Sequence, residues 1–251
     1  MSAAGGPIRI RPLRGVPEVA PGDDLAVLLA EAAGRGGLRL ASGVLVVAQK
    51  VVSKAEGRCV RLVDVEPSGA ARRIAAEDDK DPRHVEIVLR ETVRIVRRGH
   101  RVLICETRHG FVCANAGVDL SNAPGPDVAV LLPEDPDASA RRLRTALRSG
   151  DTPLGVIVSD TFGRPWREGL VDVALGSAGF APADDQRGAR DRGGRALQVT
   201  SMATADQLAA AAGLLMAKSA GVPAVWIDGV PLRGDGSVRS LLRDPESDLF
   251  R

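Results

Sequence analysis

The amino-acid sequence predicts an α+β fold, on three observations. Apolar runs of strand length stand at residues 44–48 (Val-Leu-Val-Val-Ala), 155–159 (Gly-Val-Ile-Val-Ser) and 224–227 (Ala-Val-Trp-Ile). Between them lie longer stretches whose apolar residues recur at helical spacing and are bounded by capping residues. The two kinds of segment do not alternate strictly, as a doubly wound parallel sheet would require.

Near the start, Pro21-Gly22-Asp23-Asp24 precedes Leu25, Leu28, Leu29 and Ala32, an i, i+3, i+4, i+7 stripe, with Asp23 as N-cap and Gly34 as stop. The strand at 44–48 leads into a polar segment, residues 49–58. Residues 84–97 read as one helix with Val85, Val88, Leu89 and Val96 on its apolar side. Residues 102–105 and 111–113 flank a polar turn ending in Gly110, the pattern of a hairpin. Asp135-Pro136-Asp137 opens a helix carrying Leu143, Ala146 and Leu147, closed by Gly150. After the strand at 155–159, the Gly-, Arg- and Asp-rich residues 182–195 predict a loop. Thr204-Ala205-Asp206-Gln207 has the form of a capping box and starts an Ala/Leu-rich helix reaching Ser219, before the strand at 224–227. No internal repeat or long linker interrupts the chain.

The 251 residues suffice for one large domain or two small ones. A net charge of +2, from 34 basic and 32 acidic residues, gives no general polyanion-binding field. Aromatics are 2% with no Tyr, which argues against the stacking platforms of nucleic-acid binders. Cys59, Cys105 and Cys113 are odd in number and lack CxxC spacing, the usage of a reducing cytoplasm. The first seven residues lack the basic and apolar regions of a signal peptide, and no apolar stretch approaches the ~20 residues of a membrane span. The expectation is a cytoplasmic protein without a nucleic-acid or membrane partner.

The most informative segment is Asp160-Thr161-Phe162-Gly163-Arg164-Pro165-Trp166-Arg167-Glu168-Gly169. It places a carboxylate and a hydroxyl where the strand ends and a loop begins, followed by two guanidinium groups. Hard cations take oxygen ligands, and polyphosphates take cations and guanidinium forks, so the segment points to phosphoryl chemistry. A second segment, Asn115-Ala116-Gly117-Val118-Asp119-Leu120-Ser121-Asn122, offers Asp119 as an oxygen ligand and Asn122 as a two-way hydrogen-bonding group. Alone it reads as turn chemistry. Paired with Asp160-Thr161 it becomes a candidate metal site, although spacing does not show that the two meet. Lys50, Ser53 and Lys54 follow a strand without the Gly frame of a Walker A loop and read as solvated surface groups. His84, His100 and His109 lack zinc-ligand spacing, Trp166 and Trp226 read as packing residues, and Gln207 reads as the partner of Thr204.

In this order, the segments at 22–25, 51–58, 116–122 and 160–167 closely resemble the coenzyme F420-0:L-glutamate ligase family (F420 gamma-glutamyl ligases), over residues 8–230. The resemblance implies a mixed α/β, two-domain protomer in an intertwined dimer, one ligase unit spanning the chain. It implies an enzyme that uses GTP to add γ-linked glutamate to the deazaflavin cofactor F420-0. GTP is then held by Val16, Pro17, Glu18 and Val19, by Gln49, Lys54 and Asn122, and by the turn Met216, Ala217 and Lys218. The divalent ions, Mg²⁺ or Mn²⁺, fall to Asp119, Asp160 and Thr161, and K⁺ is a further implied ion. Archaeal members carry a Gly and an acid or amide at the turn that Lys218 occupies here, and protonated Lys218 places its charge on a phosphate instead. The family's Asp-x-Tyr-Gly stretch is replaced by Asp191-Arg192-Gly193-Gly194. Mycobacterial relatives carry an added flavin-dependent reductase domain. Residues 241–251 are too few to supply one, so the resemblance implies a separate reductase as partner where the dehydro form of F420-0 is the precursor.

The implied chemistry is amide formation. A carboxylate is a poor electrophile, so the γ-phosphoryl of GTP converts it to an acyl phosphate, which the glutamate amine then attacks. On chemical grounds Arg164 and Arg167 join Asp160 as catalytic candidates, holding phosphate or an acidic substrate. Two rival readings are a metal-dependent phosphohydrolase using Asp160, which lacks the second Asp of an Asp-x-Asp motif, and a silent GTP- or deazaflavin-binding subunit.

Overall fold

The structure, a computed structural model, describes residues 6–121 and 123–248. In chain order the first elements are β1 (Arg9–Leu13), α1 (Leu25–Arg35), β2 (Gly43–Ala48), α2 (Gln49–Ala55), β3 (Cys59–Arg61), α3 (Gly69–Asp78) and α4 (Pro82–Arg90). Then come β4 (Thr92–Gly99), β5 (Val102–Thr107), β6 (Val112–Ala114), β7 (Val128–Val130), α5 (Pro136–Leu147) and β8 (Leu154–Arg164). β9 (Arg167–Ala178), β10 (Asp184–Asp185), β11 (Ser201–Met202), α6 (Thr204–Gly213) and β12 (Ala224–Asp228) complete the list.

The main sheet has the order β1-β12-β2-β8-β9. Only β2 and β8 run parallel, in the register Val46↔Ile157 and Ala48↔Ser159. The sheet is covered on both faces, which explains why its inner strands are continuous apolar runs. Leu45 and Val47 join Val156, Val158 and Trp226 in a core closed by α1 and α5. Val44 and Val46 point the other way, into a core with Ile157, Val225 and the Ala/Leu face of α6. A third core, from α3, α4, β5 and β7, contains Leu62, Ala71, Val88, Leu103 and Leu131. Strands β4, β5 and β6 form a separate antiparallel sheet beside it. This mixture is the α+β class expected. Among the described residues, no helix is long and apolar enough to cross a membrane.

Close approach fixes how α5 sits on the sheet. A Cβ on Gly176 of β9 would lie 2.2 Å from the Pro136 carbonyl, so only glycine lets the helix start against the strand. Buried Asp137 then accepts from Ser177 N at 2.8 Å and from Ser237 Oγ at 2.5 Å, tying helix, strand and C-terminal segment together.

Several expected elements differ. The helix expected over 84–97 ends at Arg90, and Thr92 opens β4. Thr92 Oγ1 takes the Val88 carbonyl at 2.6 Å, and the β-branched Thr92, Val93, Ile95 and Val96 favour the extended chain that follows. The polar segment after β2 is a helix, α2, in which Gln49, Val52, Ser53 and Lys54 are buried. Asp24, not Asp23, caps α1, and Gly36 rather than Gly34 ends it. Asp23 turns back to accept from Ala20 N instead. The capping box does not form: Ala203 is the N-cap, no side chain caps α6, and the helix stops at Gly213. Trp226 is fully buried, but Trp166 is 78% exposed. The leading motif is not a loop after a strand. It continues β8 and turns back at Pro165-Trp166 into β9, with Trp166 in the left-handed region at φ 56°.

Candidate active site

Asp119 follows a turn of unusual backbone. Asn115, Ala116 and Gly117 have φ of 50°, 52° and 72°, three successive left-handed residues. A side chain at Gly117 would meet Leu132 at 2.7 Å. Two backbone hydrogen bonds with Val130, of 3.0 and 2.9 Å, then hold Asp119 in place. Its carboxylate accepts from Ser121 N at 2.7 Å and Ser121 Oγ at 2.9 Å, and pairs with Lys50 Nζ at 2.7 Å. Burial works to raise the Asp119 pKa, but the Lys50 and Ser121 hydrogen bonds outweigh it and hold the group below its ordinary value.

Asp160 lies on β8 opposite Val173 of β9. Burial pushes its carboxyl up to about 6, with repulsion from Asp119 and Asp172 adding to the rise and Lys50 opposing it. Asp119 and Asp160, forty-one positions apart, therefore do come within electrostatic reach of each other and of Lys50. Thr161 pairs across the strands with Asp172, and Thr161 Oγ1 donates to Asp172 Oδ1 at 2.6 Å. The sequence reading named neither Lys50 as a member of this cluster nor Asp172 at all. Asp172 lies outside the motif, and only the hairpin register brings it alongside Thr161.

A cleft of about 550 Å³ adjoins the cluster. Its wall includes Val16, Pro17, Glu18 and Val19, Lys50 and Lys54 of α2, and Met216, Ala217 and Lys218 from the turn after α6. Of these, Val16 to Val19, Lys54 and Met216 to Lys218 are residues that the resemblance assigns to GTP, and Lys50 is not among them. Lys54 is 5% exposed, and its Nζ pairs with Glu18 Oε1 at 2.5 Å. Gln49 is buried and does not line the cleft; its Oε1 accepts from Ser53 Oγ at 2.8 Å, while its Nε2 is buried without a partner among the described residues. Asn122 lies outside the described residues.

A model of the F420-0:gamma-glutamyl ligase family matches residues 15–229 of the chain. The chain belongs to this family. It is similar to the "Coenzyme F420:L-glutamate ligase" of Methanothermobacter thermautotrophicus strain Delta H, at 49% identity over 95% of this chain and 97% of that protein. It is similar to the protein of that name from Methanopyrus kandleri strain AV19, at 48% identity over 97% and 98% of the two chains. The Archaeoglobus fulgidus strain VC-16 protein of that name is 39% identical over 97% and 96%.

In this family member the side chains gathered here offer oxygen alone, Asp119 and Asp160 within electrostatic reach of each other and Thr161 with Asp172 on the other face of the hairpin, and oxygen donors suit a hard divalent cation and not zinc. Among the described residues no three His, Cys, Asp or Glu side chains converge to hold an ion as they stand. The Lys50 ammonium supplies positive charge there, paired with Asp119 and opposing the rise that burial causes at Asp160.

Arg164 and Arg167 stand apart from this cluster. They face each other at the exposed end of the β8–β9 hairpin, four residues of strand beyond Asp160, about 13 Å along the chain. Arg164 Nη2 donates to the Glu168 carbonyl at 2.9 Å. Lys218 lies five residues past the end of α6 and is exposed, so a helix dipole does not account for it. The cysteines and histidines contribute no nucleophile here. Cys59, Cys105 and Cys113 are free thiols, burial pushes Cys113 up to about 12, and burial holds His84 and His109 below the ordinary imidazole value.

Proposed function

We propose that this chain uses GTP to activate the terminal carboxylate of coenzyme F420-0 and joins it through an amide to the amine of L-glutamate, then adds further γ-linked glutamates. Family membership supports the coarser statement, a glutamate-adding ligase of coenzyme F420 formation. The observation that carries the finer reading is the position of Lys50. It lines the cleft formed by Val16, Pro17, Glu18, Val19, Lys54, Met216, Ala217 and Lys218, and it also pairs with Asp119 beside Asp160. A nucleotide in the cleft would thus have its terminal phosphate next to the carboxylates.

The roles follow from the side chains. The cleft residues, with Asn122, hold GTP, and Gln49, buried behind the cleft wall, contributes through its contact with Ser53 of α2. Asp119, Asp160 and Thr161 would hold Mg²⁺ or Mn²⁺, which when bound offsets charge on the phosphate oxygens, with K⁺ as an additional ion. Lys50 exchanges Asp119 for a phosphate oxygen as negative charge enters the site. The γ-phosphoryl passes to the substrate carboxylate, releasing GDP. The glutamate amine then attacks the acyl carbon, and inorganic phosphate leaves as the amide forms. Arg164 and Arg167, free of the carboxylate cluster, are suited to an acidic substrate. A homodimer and a separate flavin-dependent reductase belong to the same proposal.

The test is mass spectrometry of purified protein with GTP, Mg²⁺, L-glutamate and F420-0. The expected products are F420 species longer by whole glutamyl units, with one GDP and one phosphate per bond. GTP hydrolysis that does not need F420-0 and glutamate would replace the ligase reading by a phosphohydrolase. Tight GTP binding without turnover would replace it by a binding subunit.

A further inference from the structure

We infer that Glu18 and Lys54 together read the base of the nucleotide, as a pair matched to the hydrogen-bonding edge of guanine. The inference rests on the reading of the cleft as a nucleotide site, and it names the groups that make that site choose a guanine over an adenine nucleotide.

Three observations carry it. Glu18 and Lys54 both line the cleft, and Lys54 Nζ donates to Glu18 Oε1 at 2.5 Å. The lysine side chain is 6% exposed and the glutamate side chain 76%, so a buried donor stands beside an open acceptor. Among the described residues the carboxylate has no second partner, which leaves Oε2 to a ligand. The pair is also held from two sides. Val19 is buried in the core closed by α1 and α5, Val16 packs against that core, and Gly22 N donates to Ala55 O at 2.9 Å, which ties the Glu18 segment to the end of the helix that carries Lys54. Groups fixed in this way lose little freedom when a ligand binds. Finally, the cleft wall includes Val16, Pro17, Met216, Val222 and Pro223, apolar surface that suits the faces of a planar base. Lys50, one turn earlier on α2, is paired with Asp119 instead, so phosphates placed at Lys50 leave the base to Lys54 and Glu18.

The chemistry of the pair favours guanine. Guanine presents one acceptor, O6, beside two donors, N1–H and the 2-amino group. An ammonium takes the first and a carboxylate takes both of the others. Adenine presents a single donor group there, and its N1 lone pair would face a carboxylate oxygen. The loss of one charge-assisted hydrogen bond corresponds to about 10- to 100-fold in affinity.

The test is calorimetric titration, in Mg²⁺, of the wild type, Glu18→Ala and Glu18→Gln with GDP, inosine diphosphate, xanthosine diphosphate and ADP, with thermal melts on each protein. Inosine lacks the 2-amino group, and xanthosine carries an oxygen in its place. The wild type is expected to bind GDP about 10- to 100-fold more tightly than inosine diphosphate or ADP. In Glu18→Ala the GDP affinity falls to that of inosine diphosphate, and the preference disappears. Glu18→Gln offers an amide N–H where the carboxylate accepted, so it loses the GDP preference and gains about 10-fold for xanthosine diphosphate. An ion pair that only supports the cleft wall would shift every nucleotide alike. Equal changes for all of them in Glu18→Ala, or a wild type that binds inosine diphosphate or ADP as tightly as GDP, overturns the inference and leaves the nucleotide cleft standing. A wild type that binds none of them overturns the nucleotide cleft and the inference with it. If Glu18→Ala melts too low to titrate, because Lys54 is left buried without its carboxylate, Glu18→Gln decides. A gain of xanthosine diphosphate over GDP supports the pair as the base reader, and an unchanged ranking overturns it.

Discussion

Replacing Lys50 by Met removes the one ammonium shared by the cleft and the carboxylates. Lys50 Nζ lies 2.7 Å from Asp119 Oδ2, with the two side chains 16% and 31% exposed. Near a protein surface two unit charges at such contact attract by about 4 kcal/mol, and partial solvation offsets some of this. Removing one partner of a fully buried pair costs about 3–5 kcal/mol, so this half-covered pair should cost about 2–3 kcal/mol. For a chain of this size that is a fall of about 5–10 °C in melting temperature in EDTA. A divalent cation restores positive charge among the same oxygens, and binding at a hundred times its Kd returns about 2.7 kcal/mol. The variant should therefore regain near wild-type stability in Mg²⁺ while ligating slowly. The pH dependence has a definite sign. Asp119 sits below its ordinary value, so its pairing with Lys50 stabilises the fold at neutral pH and is lost as pH falls through the folded pKa. Asp160, raised to about 6, is favoured in its neutral form, so its charge disfavours the fold increasingly as pH rises from about 4 through 6. Without Lys50 that penalty grows, and the gap between variant and wild type should narrow from pH 7 towards pH 4. Thermal melts in EDTA and in Mg²⁺ across that range decide the matter. A variant that melts with the wild type in EDTA, or whose deficit ignores saturating Mg²⁺, refutes the shared-cation argument.

Asp119→Asn and Asp160→Asn should each abolish ligation, because an amide keeps the shape but not the charge a hard cation needs; Asp119→Asn also breaks the pair with Lys50 and should melt lower in EDTA by about as much as Lys50→Met, whereas Asp160→Asn should melt with the wild type, and near wild-type turnover at ordinary Mg²⁺ would remove them from the site. Lys218→Met should raise the GTP concentration needed for half-maximal rate and leave the melting temperature alone, since Lys218 is exposed and lies beyond α6; unchanged GTP dependence would end its phosphate role. Gly176→Ala should destabilise by about 1–3 kcal/mol or more through the 2.2 Å clash with the Pro136 carbonyl, measured by urea unfolding. A neutral result there would mean that α5 shifts freely on β9.

What could be read from the sequence follows from how each segment is buried. β2, β8 and β12 were legible because both faces of the sheet are covered, so burial shows as an unbroken apolar run. β4 was mistaken for the end of a helix because Val85, Val88 and Val96 fit a helical stripe, and only the β-branched run after Thr92 argues otherwise. β9 was hidden by Gly169, Asp172 and Gly176, which are poor strand residues on propensity and are present for a turn, a carboxylate and a helix contact. Asp119 and Asp160 were chosen by residue type, and the structure brings them together. Asp172 could not be chosen, because its place depends on the register of a twelve-residue strand against an eleven-residue one.

The segment that misled most, α2, is also the one that organises the site. At seven residues it is too short to hold a helix by itself, since isolated helices need about 12–15. Its ends are held from outside: Ala48 N donates to Pro223 O at 2.8 Å, Gly22 N to Ala55 O at 2.9 Å, and Arg58 N to Ser53 O at 2.8 Å. The same contacts fix Lys50 and Lys54 one turn apart, about 6 Å between their Cβ atoms. One ammonium reaches Asp119 and the other Glu18, so a single short helix spans from the carboxylate cluster to the far wall of the cleft. Buried polar residues on such a helix look like surface residues in a sequence. Their burial is what fixes the two lysines at the edge of the cleft, one turned to Asp119 and the other to Glu18.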